Sequence, residues 1–151
     1  MKKFIIGVLE RNEPGATYQG RVYDRFLMLR HPDGTTLHVF DKGEPISSGL
    51  ATGESYEVVL LAAIPGPVLV FSARSEGVQL SERRGEIIEP GWRAMEGGYR
   101  CVRPELYQRD WVLLRTSLGQ LLMSPSEIGI NLRAGDFLEW QEPRFDLYAV
   151  I

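Results

Sequence analysis

The sequence predicts an all-β protein made of two small, five-stranded, barrel-like units in tandem, closely packed and with very little helix. Three observations predict it. The apolar runs are short, alternate with period two and are rich in Val, Ile, Leu, Tyr and Phe. Glycines and prolines punctuate them at turn spacing. The order of runs and turns in the first half then recurs in the second. Leu27-Met28-Leu29-Arg30, a Pro32-Asp33-Gly34 turn and Thr35–Val39 match Val112-Leu113-Leu114-Arg115, a Ser117-Leu118-Gly119 turn and Gln120–Met123. Further on, Leu50–Glu57 lines up with Leu132–Glu139, and Tyr23-Asp24-Arg25 with Tyr107-Gln108-Arg109.

In chain order, the first series of strands is Phe4–Glu10, Arg21–Arg30, Thr35–Asp41, Ser55–Ala63 and Val68–Ala73. The second is Gly85–Glu89, Tyr99–Arg103, Trp111–Thr116, Gln120–Ser124, Phe137–Gln141 and Asp146–Ile151. Pro32-Asp33-Gly34 combines a preset φ, a side chain that caps its own turn and a residue free to take positive φ; Pro65-Gly66 suits the centre of a type II turn. Ser124-Pro125-Ser126-Glu127 carries a capping-box pattern that Gly129 stops after one turn, and Pro45-Ile46-Ser47-Ser48-Gly49 is its short counterpart. The boundary between units falls in the polar stretch Arg74–Glu82, dividing the chain into 1–76 and 77–151. Three strands, a short helical turn and a two-strand hairpin resemble the OB-fold and equally an SH3-like barrel. The resemblance is architectural, carries no motif and transfers no functional residue.

A chain of 151 residues is long enough to bury a real core without a disulfide staple. Cys101 is alone, so it forms no intramolecular bridge and assembles no thiolate metal cage; this fits a reducing, cytoplasmic compartment. Met1-Lys2-Lys3-Phe4-Ile5-Ile6-Gly7-Val8-Leu9 reaches Glu10-Arg11 too soon for a signal peptide and reads as a first strand. No apolar run approaches the roughly 20 residues of a membrane span. The net charge of −3 offers nucleic acid or acidic membranes no overall attraction. Lysine is confined to Lys2, Lys3 and Lys42 and Asn to Asn12 and Asn131, a thermophile-like bias toward Arg.

Catalytic chemistry has no foothold in a motif. No nucleophile elbow, phosphate loop, dinucleotide fingerprint or zinc-protease helix is present. His31 and Asp33 straddle a turn with no third ligand nearby, and His38 alternates with Leu37 and Val39 and so faces solvent. No cofactor, metal or small-molecule substrate is indicated.

The most pointed signal is Arg83–Arg115, where Arg83, Arg84, Arg93, Arg100, Arg103, Arg109 and Arg115 interleave with Trp92, Tyr99, Tyr107 and Trp111. Single-strand binders combine such residues, Arg neutralising phosphates and rings stacking on bases. Glu86, Glu89, Glu96, Glu105 and Asp110 reduce the local surplus to two positive charges, and Trp111 heads an apolar strand that belongs in the core. Two long loops, Arg11–Gly20 and Pro90–Tyr99, carry the residue types enriched at interface hot spots. The sequence therefore points to a non-catalytic module acting through protein contacts or self-association, as a stabilising component of an assembly or a regulator of a larger machine. Its expected partner residues are Tyr18, Trp92, Arg93, Met95, Tyr99, Arg100, Arg103 and Tyr107. The alternative is single-stranded nucleic-acid binding through the second half; the third reading is an enzyme without a recognisable motif.

Overall fold

A computed structural model describes residues 3–64, 66–72, 78–128 and 131–151. Strand accounts for 52% of it and helix for 6%, so the chain is all-β. Its strands are β1 (Ile5–Pro14), β2 (Thr17–Tyr18), β3 (Arg21–Val22), β4 (Asp24–Arg30), β5 (Thr36–Lys42), β6 (Ser55–Ala63) and β7 (Leu69–Phe71). There follow β8 (Arg84–Trp92), β9 (Cys101–Val102), β10 (Trp111–Thr116), β11 (Gly119–Met123), β12 (Phe137–Glu139) and β13 (Arg144–Val150). A 3₁₀ turn spans Pro104–Tyr107 and one helical turn, α1, spans Pro125–Ile128. The Pro65-Gly66 turn, the Gly129 stop and the 76/77 division each involve positions outside the described residues. Pro45–Gly49, expected as a helical turn, is a loop instead. Asp41 accepts hydrogen bonds there from the backbone N–H groups of Ile46 and Ser47, and a side chain that bonds the backbone in this way competes with helix.

Five strands close a barrel, and more strands lie outside it. The ring runs β1–β4–β5–β13–β6 and back to β1; β5 and β13 are parallel, and the other neighbours antiparallel. β1 spans the closure. Its first part, Ile5–Val8, pairs with β6, and from Val8 onward it pairs with β4, with a bulge between Leu9 and Arg11. Outside the ring, β8, β10 and β11 form an antiparallel meander, β12 adds to β8 and β7 to β12. The fifth strands are crossed. β7 follows β6 in sequence yet pairs with β12, whereas β13 follows β12 yet closes the ring of the first half.

The two halves repeat their hydrogen bonding. Leu9 N–H donates to Glu54 O at 2.9 Å and Leu9 O accepts from Gly53 N–H at 2.7 Å; Ile87 N–H donates to Asp136 O and Ile87 O accepts from Gly135 N–H, both at 2.8 Å. Gly53 and Gly135 sit at φ +88° and +91°, a region L side chains avoid. Gly7 and Gly85 occupy matching places opposite Tyr56 and Leu138. A Cβ at Gly7 would stand 2.9 Å from Leu29 Cβ, and one at Gly85 3.1 Å from Arg115 O.

Burial follows the strand period. In β6, Tyr56, Val58, Leu60 and Ala62 enter the main core, while Val59 and Leu61 enter a second cluster on the opposite face. β10 divides likewise, with Val112 and Leu114 against Trp111 and Leu113. Strands buried on both faces read as continuous apolar runs, which is what Val58–Ala62 and Trp111–Leu114 show. We expect Gly53→Ala and Gly135→Ala each to cost about 1–2 kcal/mol from backbone strain, since neither added Cβ meets another atom within 4 Å. Urea unfolding reads the cost; loss of only a few tenths would show that the backbone relaxes freely.

Candidate functional site

Seven of the eight expected partner residues lie on one segment, and the fold uses most of them as a cover. Between β8 and β10 the chain passes over the second cluster, whose buried members include Val59, Leu61, Trp111, Leu113, Leu122, Tyr148 and Ala149. Ala94 and Leu106 are buried in it, and Trp92, Tyr99 and Tyr107 pack partly buried against it. Trp92 meets Phe4 edge to face at 6.0 Å, and Tyr99 meets Tyr107 at 6.2 Å. Trp111 is fully buried, as its strand predicts, and its Nε1–H donates to Leu106 O at 3.1 Å.

Arg103 is buried rather than displayed. Its Nη2 pairs with the buried Asp41 carboxylate at 3.1 Å and its Nε donates to Leu147 O at 2.9 Å, tying the covering segment to β5 and β13. The other arginines of the stretch also have intramolecular partners. Arg83 pairs with Glu142, Arg84 with Glu139, Arg93 with Asp110 and Arg115 with Glu86. Arg100 lies over the Tyr56 ring and Arg109 over Trp111. Arg93 and Met95 remain at the surface, Met95 being 81% exposed.

Tyr18 belongs to another feature. Beyond Pro14 the β1–β4 ribbon continues as the two-stranded β2–β3 sheet, joined through Gly15 N–H to Asp24 O at 2.9 Å and Tyr23 N–H to Ala16 O at 2.8 Å. Gln19 and Gly20, at φ +50° and +76°, turn it with the twist a tight hairpin needs. This arm displays Tyr18 at 64% exposure and Tyr23 at 42%. Phe26, also 42% exposed, lies below them on β4 and packs edge to face on Phe40 of β5 at 4.9 Å. Tyr23, Phe26 and Phe40 escape a search for residue clusters along the chain. The local signal for Phe26 is an apolar residue out of phase with buried Leu27 and Leu29.

His38 is exposed, as its alternation predicts. His31 instead joins the two matching hairpin turns, Nε2 lying 2.9 Å from Leu118 O and Nδ1 2.9 Å from Asp33 Oδ1. Asp33 is held below its ordinary carboxylate value, chiefly by the Thr35 backbone N–H. Burial, with the Asp41 charge next, pushes the Cys101 thiol up, opposite to what a nucleophilic thiolate needs. Among the described residues, no three His, Cys, Asp or Glu side chains gather as a metal site. No protein-family model and no curated protein matches the chain.

Truncating Arg103 to Ala leaves Asp41 buried without its cation, and we expect a loss of about 3–5 kcal/mol in chemical unfolding; a loss under 1 kcal/mol would show that solvent reaches the site. Burial, followed by the Tyr107 and Asp146 charges respectively, raises the Tyr99 and Tyr148 phenols above their ordinary 10.0. The native state therefore holds these protons more tightly than the unfolded chain. The stability they contribute is complete below that value and drains as pH rises through the folded values. Tyr99→Phe and Tyr148→Phe should flatten the alkaline fall in stability; an unchanged slope would remove these phenols as its cause.

Proposed function

We propose that this chain is a non-catalytic interaction module that works through protein contacts, as a stabilising component of an assembly or a regulator. The observation that carries the reading is the alignment of exposed Tyr18, Tyr23 and Phe26 along one ribbon, from the arm tip to the barrel wall. Monomeric surfaces scatter single apolar side chains; aromatic residues gathered on one feature mark a contact site. The ring order β1–β4–β5–β13–β6, with its parallel pair, favours the OB-like description over the SH3-like one.

Single-stranded nucleic-acid binding through Arg83–Arg115 has less support. Each arginine of that stretch is already engaged with a carboxylate or a ring, so phosphate would have to displace existing partners. No helix among the described residues is long and apolar enough to cross a membrane. The lone thiol of Cys101 agrees with a cytoplasmic setting.

Affinity capture from cells that make this protein should retain a protein partner, and Tyr18→Ser combined with Tyr23→Ser should release it while far-UV circular dichroism stays unchanged. Retention by the double variant would move the contact to Arg93 and Met95. A fluorescent oligothymidylate that gains anisotropy at low salt and loses it steeply with added salt would replace the protein-contact reading.

A further inference from the structure

The pose of the β2–β3 arm is decided where its ribbon leaves the barrel. The root is clasped first. Arg25 donates from Nε to Asn12 Oδ1 at 2.6 Å and from Nη2 to Asn12 O at 3.2 Å, and Asn12 Nδ2 donates on to Ser47 O at 2.9 Å and Leu50 O at 3.3 Å in the loop after β5. Further out the ladder loses its phase. A regular antiparallel pair exchanges hydrogen bonds at alternate positions. Here Gly15 N–H donates to Asp24 O and the adjoining Tyr23 N–H donates to Ala16 O, so bonds fall on consecutive positions, and regular strand lapses at Gly15-Ala16 and at Tyr23.

The Asp24 side chain repairs that break. Its Oδ1 accepts Ala16 N–H at 2.5 Å, standing in for a main-chain acceptor. Position 15 makes room for it. A Cβ on Gly15 would overlap Asp24 Oδ1 and stand 2.6 Å from Phe26 Cε2. The bare backbone of Gly15 is thus the floor against which both the carboxylate and the Phe26 ring rest, and Phe40 braces Phe26 edge to face at 4.9 Å. The tie at the tip is weaker. Arg21 pairs with Glu44 and lies over the Tyr23 ring at 5.4 Å, but the two charged side chains are 59% and 86% exposed, where an ion pair holds little. The angle of the arm therefore rests on the corner made by Gly15, Asp24 and Phe26.

Resting on the protein-contact reading, we propose that Asp24 is the positioning residue of the contact arm: its carboxylate, admitted by the missing side chain at Gly15, bridges the break in the ladder and fixes the angle at which Tyr18 and Tyr23 leave the barrel relative to Phe26. Asp24 acts through the backbone of Ala16. Aromatic residues already held in one pose lose less freedom on binding, so a rigid arm strengthens a complex without adding a contact to it.

The test is nitrogen relaxation of the backbone amides of the whole free chain, followed by the cellular capture through Tyr18 and Tyr23. In the native chain the amides of Thr17–Val22 should have order parameters close to those of the barrel, roughly 0.85, and Asp24→Ala should drop them below about 0.6 while β5 and β6 keep theirs. Gly15→Val should loosen the arm in the same way by excluding the carboxylate, whereas Asp24→Asn, whose amide oxygen still accepts, should leave it ordered. Captured partner should fall on the order of tenfold with Asp24→Ala and recover with Asp24→Asn. An arm that stays rigid in Asp24→Ala, or that is already mobile in the native chain, overturns the proposal. So does a loosened arm that captures as well as the native one, because Asp24 would then serve the fold alone. If the native chain captures nothing while the arm responds as expected, the protein-contact reading falls and the ordering of the arm by Asp24 stands.

Discussion

The fold depends on one insertion, that of β13 between β5 and β6. Without it β5 and β6 would be open edges and the barrel an unclosed sheet, exposing the interior that Leu27, Leu29, Val39, Val58 and Leu60 fill. The same strand works on both faces. Phe145 and Leu147 join the barrel core, while beyond a bulge Tyr148 and Ala149 join the second cluster. Closing the ring and providing ground for the covering segment are therefore a single event.

Arg103 and Asp41 extend that dependence. Asp41 gathers the loop after β5 through Ile46 and Ser47, and Arg103 brings the covering segment down onto the same carboxylate and onto the backbone of β13. A buried ion pair adds little net stability over a well-packed apolar substitute, but removing one partner is costly. Its contribution lies in register: one arrangement of loop, strand and cover satisfies all these donors and acceptors together.

Local pattern carried the strand grammar, the Pro32-Asp33-Gly34 hairpin, the burial of Trp111 and the exposure of His38, because period and turn chemistry act within a few residues. Expected strands also differ locally. The strand expected over Tyr99–Arg103 shortens to Cys101–Val102, and the one over Arg21–Arg30 breaks at Tyr23 where the arm leaves the barrel. What local pattern could not carry is which strand neighbours which. β7 and β13 have the composition of final strands in their own halves, and only three-dimensional packing decides that each joins the other set. The candidate surface was hidden for the same reason. Tyr18 stood out as a loop aromatic, but Phe26 and Phe40 become neighbours only through the cross-strand register of β4 and β5. Arg103 was indistinguishable from its exposed neighbours because burial of a charge depends on a partner, Asp41, far away in sequence.

The crossed strands also set an order in time. Residues 64–143 separate β6 from the strand that closes its barrel. At about 5–20 residues per second, a ribosome takes roughly 4–16 s to supply that interval. Throughout it β1, β4, β5 and β6 are already made while their ring stands open, with the edges of β5 and β6 available to any other strand. The emerging chain is thus most exposed to mispairing during synthesis, and that window is set by the length of its second half.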